Sequence, residues 1–474
     1  MHPIRLDEAA HAVGGTVYPQ GSAHSSRTFT AVGTDSRQPL HDALFVALRG
    51  ERFDGHDFVA AAAAQGMVGA LVDEAGHRAL GDGAMVRIVV ADTLRALGDL
   101  ARFVRARLHR PVVAITGSNG KTTTKELCAK ALSQRGDVHK TPGNLNNLVG
   151  LPLSIMSWPN DAWAAVLEMG MNAPGEIARL TQVAEPDVGL ITCVAAAHLA
   201  GLGSLERVAQ AKVELLAGLP EGAIAILNGD DGPLCAAAAP YLKDRPCCRF
   251  GMGPDADVRL LSAVHVPHNG SVGLGLSVQV DGQIHRATLP MVGQHNGMNA
   301  AAAVACAHAL KLDIETALEG MATVQIPGAR GRVVHNAKTD VHVLDDCYNA
   351  NPHSMTAAIA TLQDLGQGAM TVAVFGDMLE LGATAPQHHQ ALGAQAAQAG
   401  IHKIFALGEF AQHTVAGAQG AGAWAQVLPD MQTAQSIVAQ TLQRGAWCLV
   451  KGSRGMRLER LVDALIAPPF SSLP

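Results

Sequence analysis

Short apolar runs separated by helical-period stretches recur along most of the chain. In about the first ninety residues the runs are Ala43 to Leu48, Gly69 to Val72 and Met85 to Val90, with an alanine-rich helical stretch from His56 to Gln65 between the first two. The polar cluster Gly33-Thr34-Asp35-Ser36-Arg37 precedes them and is too short for an element of its own. Asp92 stands where an N-cap belongs, ahead of Leu94, Leu97, Leu100 and Val104 at helical spacing, and Pro111 closes that pattern.

The middle of the chain continues the alternation with Val112 to Thr116, Ala164 to Met169, Val188 to Val194 and Ala223 to Leu227. Strands that alternate with helices imply crossovers and a largely parallel sheet. From Gly273 to Leu289 the period changes: Leu276, Val278 and Val280 alternate, Asp281-Gly282 turns and Ile284 follows, which predicts an antiparallel hairpin added to the sheet. Ala300 to Leu310 reads as a buried helix. A further alternation begins after Arg332, with Val341 to Leu344, Thr371 to Phe375, Lys403 to Leu407 and Trp447 to Val450. The expected architecture is α/β in three domains: a small α/β domain over 1–93, a central parallel-sheet domain with a phosphate loop over 94–331, and a Rossmann-like domain over 332–474.

Composition narrows the function classes. At 474 residues, 48 % hydrophobic and 16 % charged, the chain is long and apolar enough for several cores. Those cores must be aliphatic, since aromatics are only 4 %. A net charge of −6 argues against a nucleic-acid protein that relies on a basic surface. No run is long and apolar enough for a membrane span, and Asp7 and Glu8 lie where a signal peptide needs an apolar core. Eight scattered cysteines without a C-x-x-C pair point to a reduced, cytoplasmic protein.

The strongest local signal is Val112 to Thr116 followed by Gly117-Ser118-Asn119-Gly120-Lys121-Thr122-Thr123 and a helix through Leu127 and Leu132. Glycines let backbone N–H groups curl toward phosphate oxygens, and the helix N-terminus adds positive potential. Lys121 is placed to reach the β- and γ-phosphates and the Thr122 hydroxyl to ligate Mg2+. The loop is shorter than the general phosphate loop, which wants glycine where this chain has Ile115.

That shortened loop resembles the Mur ligase superfamily of ATP-dependent amide-forming enzymes. So do Thr141-Pro142-Gly143-Asn144-Leu145-Asn146-Asn147, Glu168-Met169-Gly170-Met171-Asn172, Ala196-Ala197-His198-Leu199 and His295-Asn296-Gly297-Met298-Asn299. Asp345-Asp346-Cys347-Tyr348-Asn349-Ala350-Asn351-Pro352, Gly376 to Gly382 and Lys451-Gly452-Ser453-Arg454 complete the series in the family's order. Within the family, the motifs are nearest those of the ligase that adds D-alanyl-D-alanine to UDP-N-acetylmuramoyl-tripeptide in peptidoglycan synthesis, on which cell shape and division depend.

The resemblance assigns roles residue by residue. Gly117 to Thr123, with Asn296 and Asn299 on the adenine and Arg332 and Asp346 on the phosphate side, would bind ATP; Arg330, two residues before Arg332, is the alternative for that arginine. Glu168 and His198, both at carboxyl ends of strands, would hold Mg2+ with Thr122, and Lys212, carbamylated, would hold a second Mg2+. Without the resemblance Lys212 reads as a surface lysine, and Asn296 with Asn299 as a cap and a polar helix position. Thr34, Asp35, Ser36, Arg37, Phe45 and the loop Gly50 to His56 would bind the uridine diphosphate; Asn144, Asn146 and Asn147 would line the precursor side. In the last domain Tyr348, Asn349 and Asn351 start a helix, and Asp377, Glu380, Lys451 and Arg454 would line the dipeptide pocket, with solvated loops as the alternative. Cys347 replaces a family serine and is read as a small-residue exchange, not a nucleophile.

The implied reaction is amide formation through an acyl phosphate, with Lys121 as the central catalytic residue beside Glu168, His198 and Lys212. Small-molecule substrates, no nucleic acid and a monomer are expected. The rivals are the sibling ligase that adds the third amino acid, a folylpolyglutamate-type ligase and a P-loop switch or transport ATPase. The first in its diaminopimelate form carries Asp-Asn-Pro-Arg, absent here, and the second reads G-K-G-S where this chain has G-K-T-T.

Overall fold

The computed structural model describes residues 1–82, 85–195 and 204–466 and contains three α/β domains, each around its own main sheet. The first sheet runs in the order Thr16–Tyr18, Val86–Val90, Gly69–Asp73, Ala43–Val46, Ala31–Gly33, and only Thr16–Tyr18 is antiparallel to its neighbour. Asp92 accepts from the Arg95 N–H at 2.9 Å and caps the helix Thr93–Leu108, as its position in the sequence requires. That helix buries Leu97, Leu100 and Val104 and leaves Leu94 at the rim.

Nine strands form the central sheet. Val112–Thr116 sits between Ala164–Glu168 and Val188–Ile191, and all three are parallel. From this strand the chain first builds one side of the sheet and then the other. The reversal opens a crevice at the strand's carboxyl end, where open α/β sheets bind ligands. Ser271–Val280 and Gln283–Leu289 form the expected hairpin. Two further strands, Cys247–Gly251 and Val258–His268, connect it to the parallel part. The register of Val258–His268 shifts between Leu260 and Ser262, which breaks the alternation that would have revealed the strand. The helix His295–Ala309 packs against the helix Lys121–Leu132 and the central sheet, and its residues Ala300 to Ala307 are all fully buried.

The third sheet has six strands in the order Arg332–Asn336, Val341–Asp346, Trp447–Lys451, Thr371–Phe375, Lys403–Leu407, Ala425–Leu428. All neighbours are parallel apart from the first, which forms an edge hairpin with the second. Both outer strands go beyond the sequence reading, being less completely buried than the inner ones and without a clear period. Among the described residues no helix is long and apolar enough to cross a membrane.

Candidate active site

Carboxyl ends of the central strands face those of the C-terminal sheet across a cavity of about 830 Å³. One wall is the phosphate loop. Gly117 holds φ +146° and Gly120 φ +80°, and a Cβ would come within 1.9 Å of Thr192 Oγ1 at the first and 2.2 Å of Asn299 Oδ1 at the second. Only glycine fits both the backbone conformation and the space. Lys121 folds back on the loop, donating to the Gly117 carbonyl at 2.7 Å. Loss of water pulls its ammonium below the ordinary lysine value; Glu168 opposes that shift and Arg330 adds to it.

Glu168, at the end of its strand, is 3 % exposed. Its Oε2 accepts from the Thr122 hydroxyl at 2.9 Å and its Oε1 from Asn146 Nδ2 at 2.8 Å. The Lys125 ammonium lies 3.9 Å from the same carboxylate and 3.2 Å from Glu126, and donates to the Thr141 carbonyl at 2.9 Å. Thr141 Oγ1 in turn accepts from the Glu168 N–H at 2.8 Å. The Asn144-to-Asn147 loop is thus tied to the phosphate-loop helix through Glu168. Asn147 Oδ1 accepts from the Gly150 N–H at 2.8 Å where the helix Gly150–Met156 begins, and Asn144 lines the cavity.

Asn296 and Asn299 occupy one face of their helix, as the i, i+3 spacing predicts. Asn299 Nδ2 donates to Asn296 Oδ1 at 2.8 Å, and Thr124 donates to Asn299 Oδ1 at 3.3 Å. Both line the cavity beside the phosphate loop. Lys212, on the helix Leu205–Gly218, is 1 % exposed rather than on the surface. Burial first, and then the Lys121 charge, hold its amine well below the ordinary lysine value. His198 lies outside the described residues.

The C-terminal domain contributes Asp346, Lys451, Tyr348, Asn349 and Asn351 to the same cavity. Asp346 and Lys451 are partners on adjacent parallel strands, and the Lys451 ammonium donates to Asp346 at 2.6 Å and to the Asn349 carbonyl at 2.9 Å. Asn351 caps the helix Pro352–Leu365 through its Oδ1, while its Nδ2 donates to Asn119 Oδ1 at 2.7 Å across the two domains. Cys347 is buried; burial and the neighbouring carboxylates push its thiol far up, so it is not poised as a nucleophile.

Several expected site residues lie elsewhere. Asp377 is 5 % exposed and its two oxygens accept the Glu409 and Phe410 N–H groups at 2.8 and 3.1 Å, so it holds a turn together instead of lining a pocket. Arg332 points outward and pairs with Asp345 at 3.0 Å. Arg330 takes the cavity position, its guanidinium 3.7 Å from the Tyr348 ring centroid. Phe45 is buried in the apolar cluster of the N-terminal sheet and presents no free face. Glu380 and Arg454 are exposed at the C-terminal sheet's rim, with Arg454 5.8 Å from the Tyr348 ring.

Thr34 to Arg37 leave the N-terminal sheet after Ala31–Gly33, at the edge from which the loop after Ala43–Val46 also departs. The Arg37 guanidinium holds the Asp35 carboxyl down at about 2. Missing from the sequence reading were Lys125 and Asp231, while Arg330 entered it only as the alternative to Arg332. Asp231 accepts from the Val194 N–H at 2.7 Å and caps the helix Gly232–Ala238. Its signal was the Asp-Asp-Gly that follows the strand Ile224–Asn228.

Three family models match the chain: the Mur ligase family catalytic domain over 28–105, the Mur ligase middle domain over 115–307, and the Mur ligase glutamate ligase domain over 329–454. UDP-N-acetylmuramoyl-tripeptide--D-alanyl-D-alanine ligase of Bacillus subtilis is 35 % identical over 447 residues, covering 93 % of this chain and 94 % of that protein. The Escherichia coli protein of the same name is 37 % identical, covering 92 % and 94 %. The solved structure of MurF from Acinetobacter baumannii superposes with a TM-score of 0.88 at 31 % identity, over 98 % of this chain and 99 % of that one. MurF ligase from Thermotoga maritima, solved in complex with ADP, gives 0.80 at 26 % identity, over 94 % and 98 %.

Proposed function

The chain belongs to the Mur ligase family, and from that premise we propose that it joins D-alanyl-D-alanine to UDP-N-acetylmuramoyl-tripeptide with cleavage of ATP to ADP and phosphate. The observation that carries the reading is the single cavity in which Lys121, Thr122 and Glu168 face Asp346, Lys451 and Asn351. The named relatives cover almost the whole chain and give the choice of substrates.

The site fits its nucleotide and its metal. The loop forms a cradle that a Cβ would fill, Lys121 is parked on carbonyls until phosphate arrives, and Asn119 Nδ2 is buried without a partner. Thr122 and Glu168 present oxygen donors, the set Mg2+ takes; with His198 and a carbamate on Lys212 they would hold one or two such ions. Bound Mg2+ supplies charge neutralisation on the transferring phosphoryl group.

The terminal carboxylate of the tripeptide attacks the γ-phosphorus and expels ADP, giving an acyl phosphate. The dipeptide amine then adds to that carbonyl, and the tetrahedral adduct collapses with loss of phosphate and a proton. Lys121 stabilises the charge that develops on the phosphoryl oxygens. Asn296 and Asn299 take the adenine edge, and Arg330, rather than Arg332, approaches the phosphates from the domain joint. Asn144, Asn146 and Asn147 orient the precursor, whose uridine diphosphate lies on Thr34 to Arg37. Lys451, Tyr348, Asn349 and Arg454 receive the dipeptide, with Asp346 held in place by Lys451. Closure of the C-terminal domain excludes water from the acyl phosphate. The protein works as a cytoplasmic monomer in this reading.

The test is ADP release from ATP with the lysine and diaminopimelate tripeptide precursors, each with and without D-alanyl-D-alanine. Turnover should require one precursor and the dipeptide together, with free D-alanine a poor acceptor. Preference for a single amino acid would reassign the chain to a sibling ligase, and turnover without any precursor would favour a switch or transport ATPase.

A further inference from the structure

Away from the cleft, the edge hairpin of the C-terminal sheet gathers three groups of metal-ligating chemistry. His335 and His342 are directly paired across the antiparallel register, and their imidazoles stack with centroids 4.4 Å apart. Asp340, in the turn between the strands, lies with Oδ1 3.1 Å from His335 Nε2. One ligand atom from each of the three falls within 4.8 Å of the others, and no other such cluster of His, Cys, Asp or Glu occurs among the described residues. The reaction site is remote: His342 and Asp346 are four residues apart on one extended strand, about 13 Å, and Trp447 and Lys451 repeat that spacing on the next.

We propose that His335, Asp340 and His342 bind a divalent transition ion of the zinc class, with the fourth position open to water. Two imidazoles and one carboxylate are a donor set suited to Zn2+, whereas Mg2+ takes oxygen ligands. The surroundings decide which ring moves. His342 is held on its other face by Trp447, stacked at 4.4 Å, while the His335 side chain is 45 % exposed. Turning the His335 ring out of the stack lets its lone pair converge with the other two ligand atoms. Bonds of about 2.0–2.2 Å require the trio to draw in, and the ion replaces the His335–Asp340 contact. Arg444 opposes binding from 3.8 Å beyond Asp340, but its side chain is 76 % exposed and swings aside into water. The bound ion ties the edge strand to its neighbour across the turn. This site is independent of the ligase reading.

The test uses the tag-free full-length chain with excess Mg2+ and ADP present. Zn2+ is titrated by calorimetry, and Cu2+ by quenching of tryptophan fluorescence, because Trp447 touches His342. One tight Zn2+ per chain is expected, and a Cu2+ quench that Trp447→Phe removes. Even outer partners of a metal cost about 10- to 100-fold when lost, so His335→Ala should weaken Zn2+ binding by at least about tenfold. Asp340→Asn should weaken it in the same direction, Arg444→Gln should tighten it, and amide formation in zinc-free buffer should be unchanged by His335→Ala. A wild-type chain that binds no Zn2+, or a His335→Ala chain that binds it as tightly as wild type, overturns the proposal.

Discussion

Glu168 and Asp377 occupy comparable places in two different domains: each lies at or just past the carboxyl end of a parallel strand, and each is almost wholly buried. Their partners separate them. Glu168 accepts from two side chains, Thr122 and Asn146, both of which line the cavity and can turn to a ligand. Asp377 spends its oxygens on the backbone N–H groups of Glu409 and Phe410 and packs on Gly408, where a Cβ would lie 2.4 Å from its Oδ2. A carboxylate that satisfies backbone groups is part of the scaffold, because moving it leaves buried donors unpaired. One that is held by side chains around a cavity is available for exchange. Position at a strand end therefore nominates a residue, and the identity of its hydrogen-bond donors decides its use.

The contrast breaks most visibly in activity. Glu168→Gln and Lys121→Ala should each lower kcat by about 100- to 1000-fold with an unchanged circular dichroism spectrum. More than half the wild-type rate in either well-folded variant would remove the phosphate-loop assignment. Asp377→Asn should do the reverse. Hydrogen bonds to a charged group are worth about 1.5–3 kcal/mol, so urea unfolding should show a loss of that order. Its KM for ATP and for the dipeptide should hold; a selective rise in dipeptide KM would return Asp377 to the pocket.

Arg330 and Arg332 repeat the comparison with cations. Arg330→Ala should raise the KM for ATP, since its guanidinium lines the cavity. Arg332→Ala should leave that KM unchanged and lower only stability, through the Asp345 pair. Equal kinetic effects would put both on the nucleotide.

The smallest effect concerns Lys212. Its native value is depressed, so in the window between that value and the ordinary lysine value the unfolded chain binds the proton that the folded chain has lost. Stability contributed by this amine therefore rises with pH across the window. Carbamylation converts the buried amine into an anion, which Mg2+ would hold. With Mg2+ present, added bicarbonate near neutral pH should raise the melting temperature, and should not do so in Lys212→Met. Identical melting temperatures with and without bicarbonate would count against the carbamate.

The phosphate loop was legible because its chemistry is local: a buried strand, two glycines and a lysine lie within ten consecutive residues. Asn296 and Asn299 were legible for the same reason, their shared face being fixed by helical spacing. Asp377 was not, because its partners come from a turn some thirty positions later, and no local pattern announces them. The choice between Arg330 and Arg332 depended on where the chain enters the edge strand: at Arg332 the side chain is already committed to the strand pairing with Asp345. Lys125 was hidden by its neighbours, since Lys-Glu within a helix normally faces water, and only the fold shows that this pair is buried against Glu168 and Thr141. The three-domain α/β architecture followed from alternation alone. The strand Val258–His268 did not, because its bulge erased the period.

The hydrogen bond from Asn351 to Asn119 has a consequence for timing. It joins two uncharged amides, so its net worth is about 0.5–1.5 kcal/mol, only one to a few times thermal energy. A salt bridge in its place would make each opening of the cleft slow; an apolar contact would carry no directional information. Because Asn351 also caps the helix Pro352–Leu365, the group that meets the phosphate loop arrives with its orientation already set. The joint works as a latch light enough to be released at every turnover, and oriented well enough to bring the two half-sites back into the same alignment.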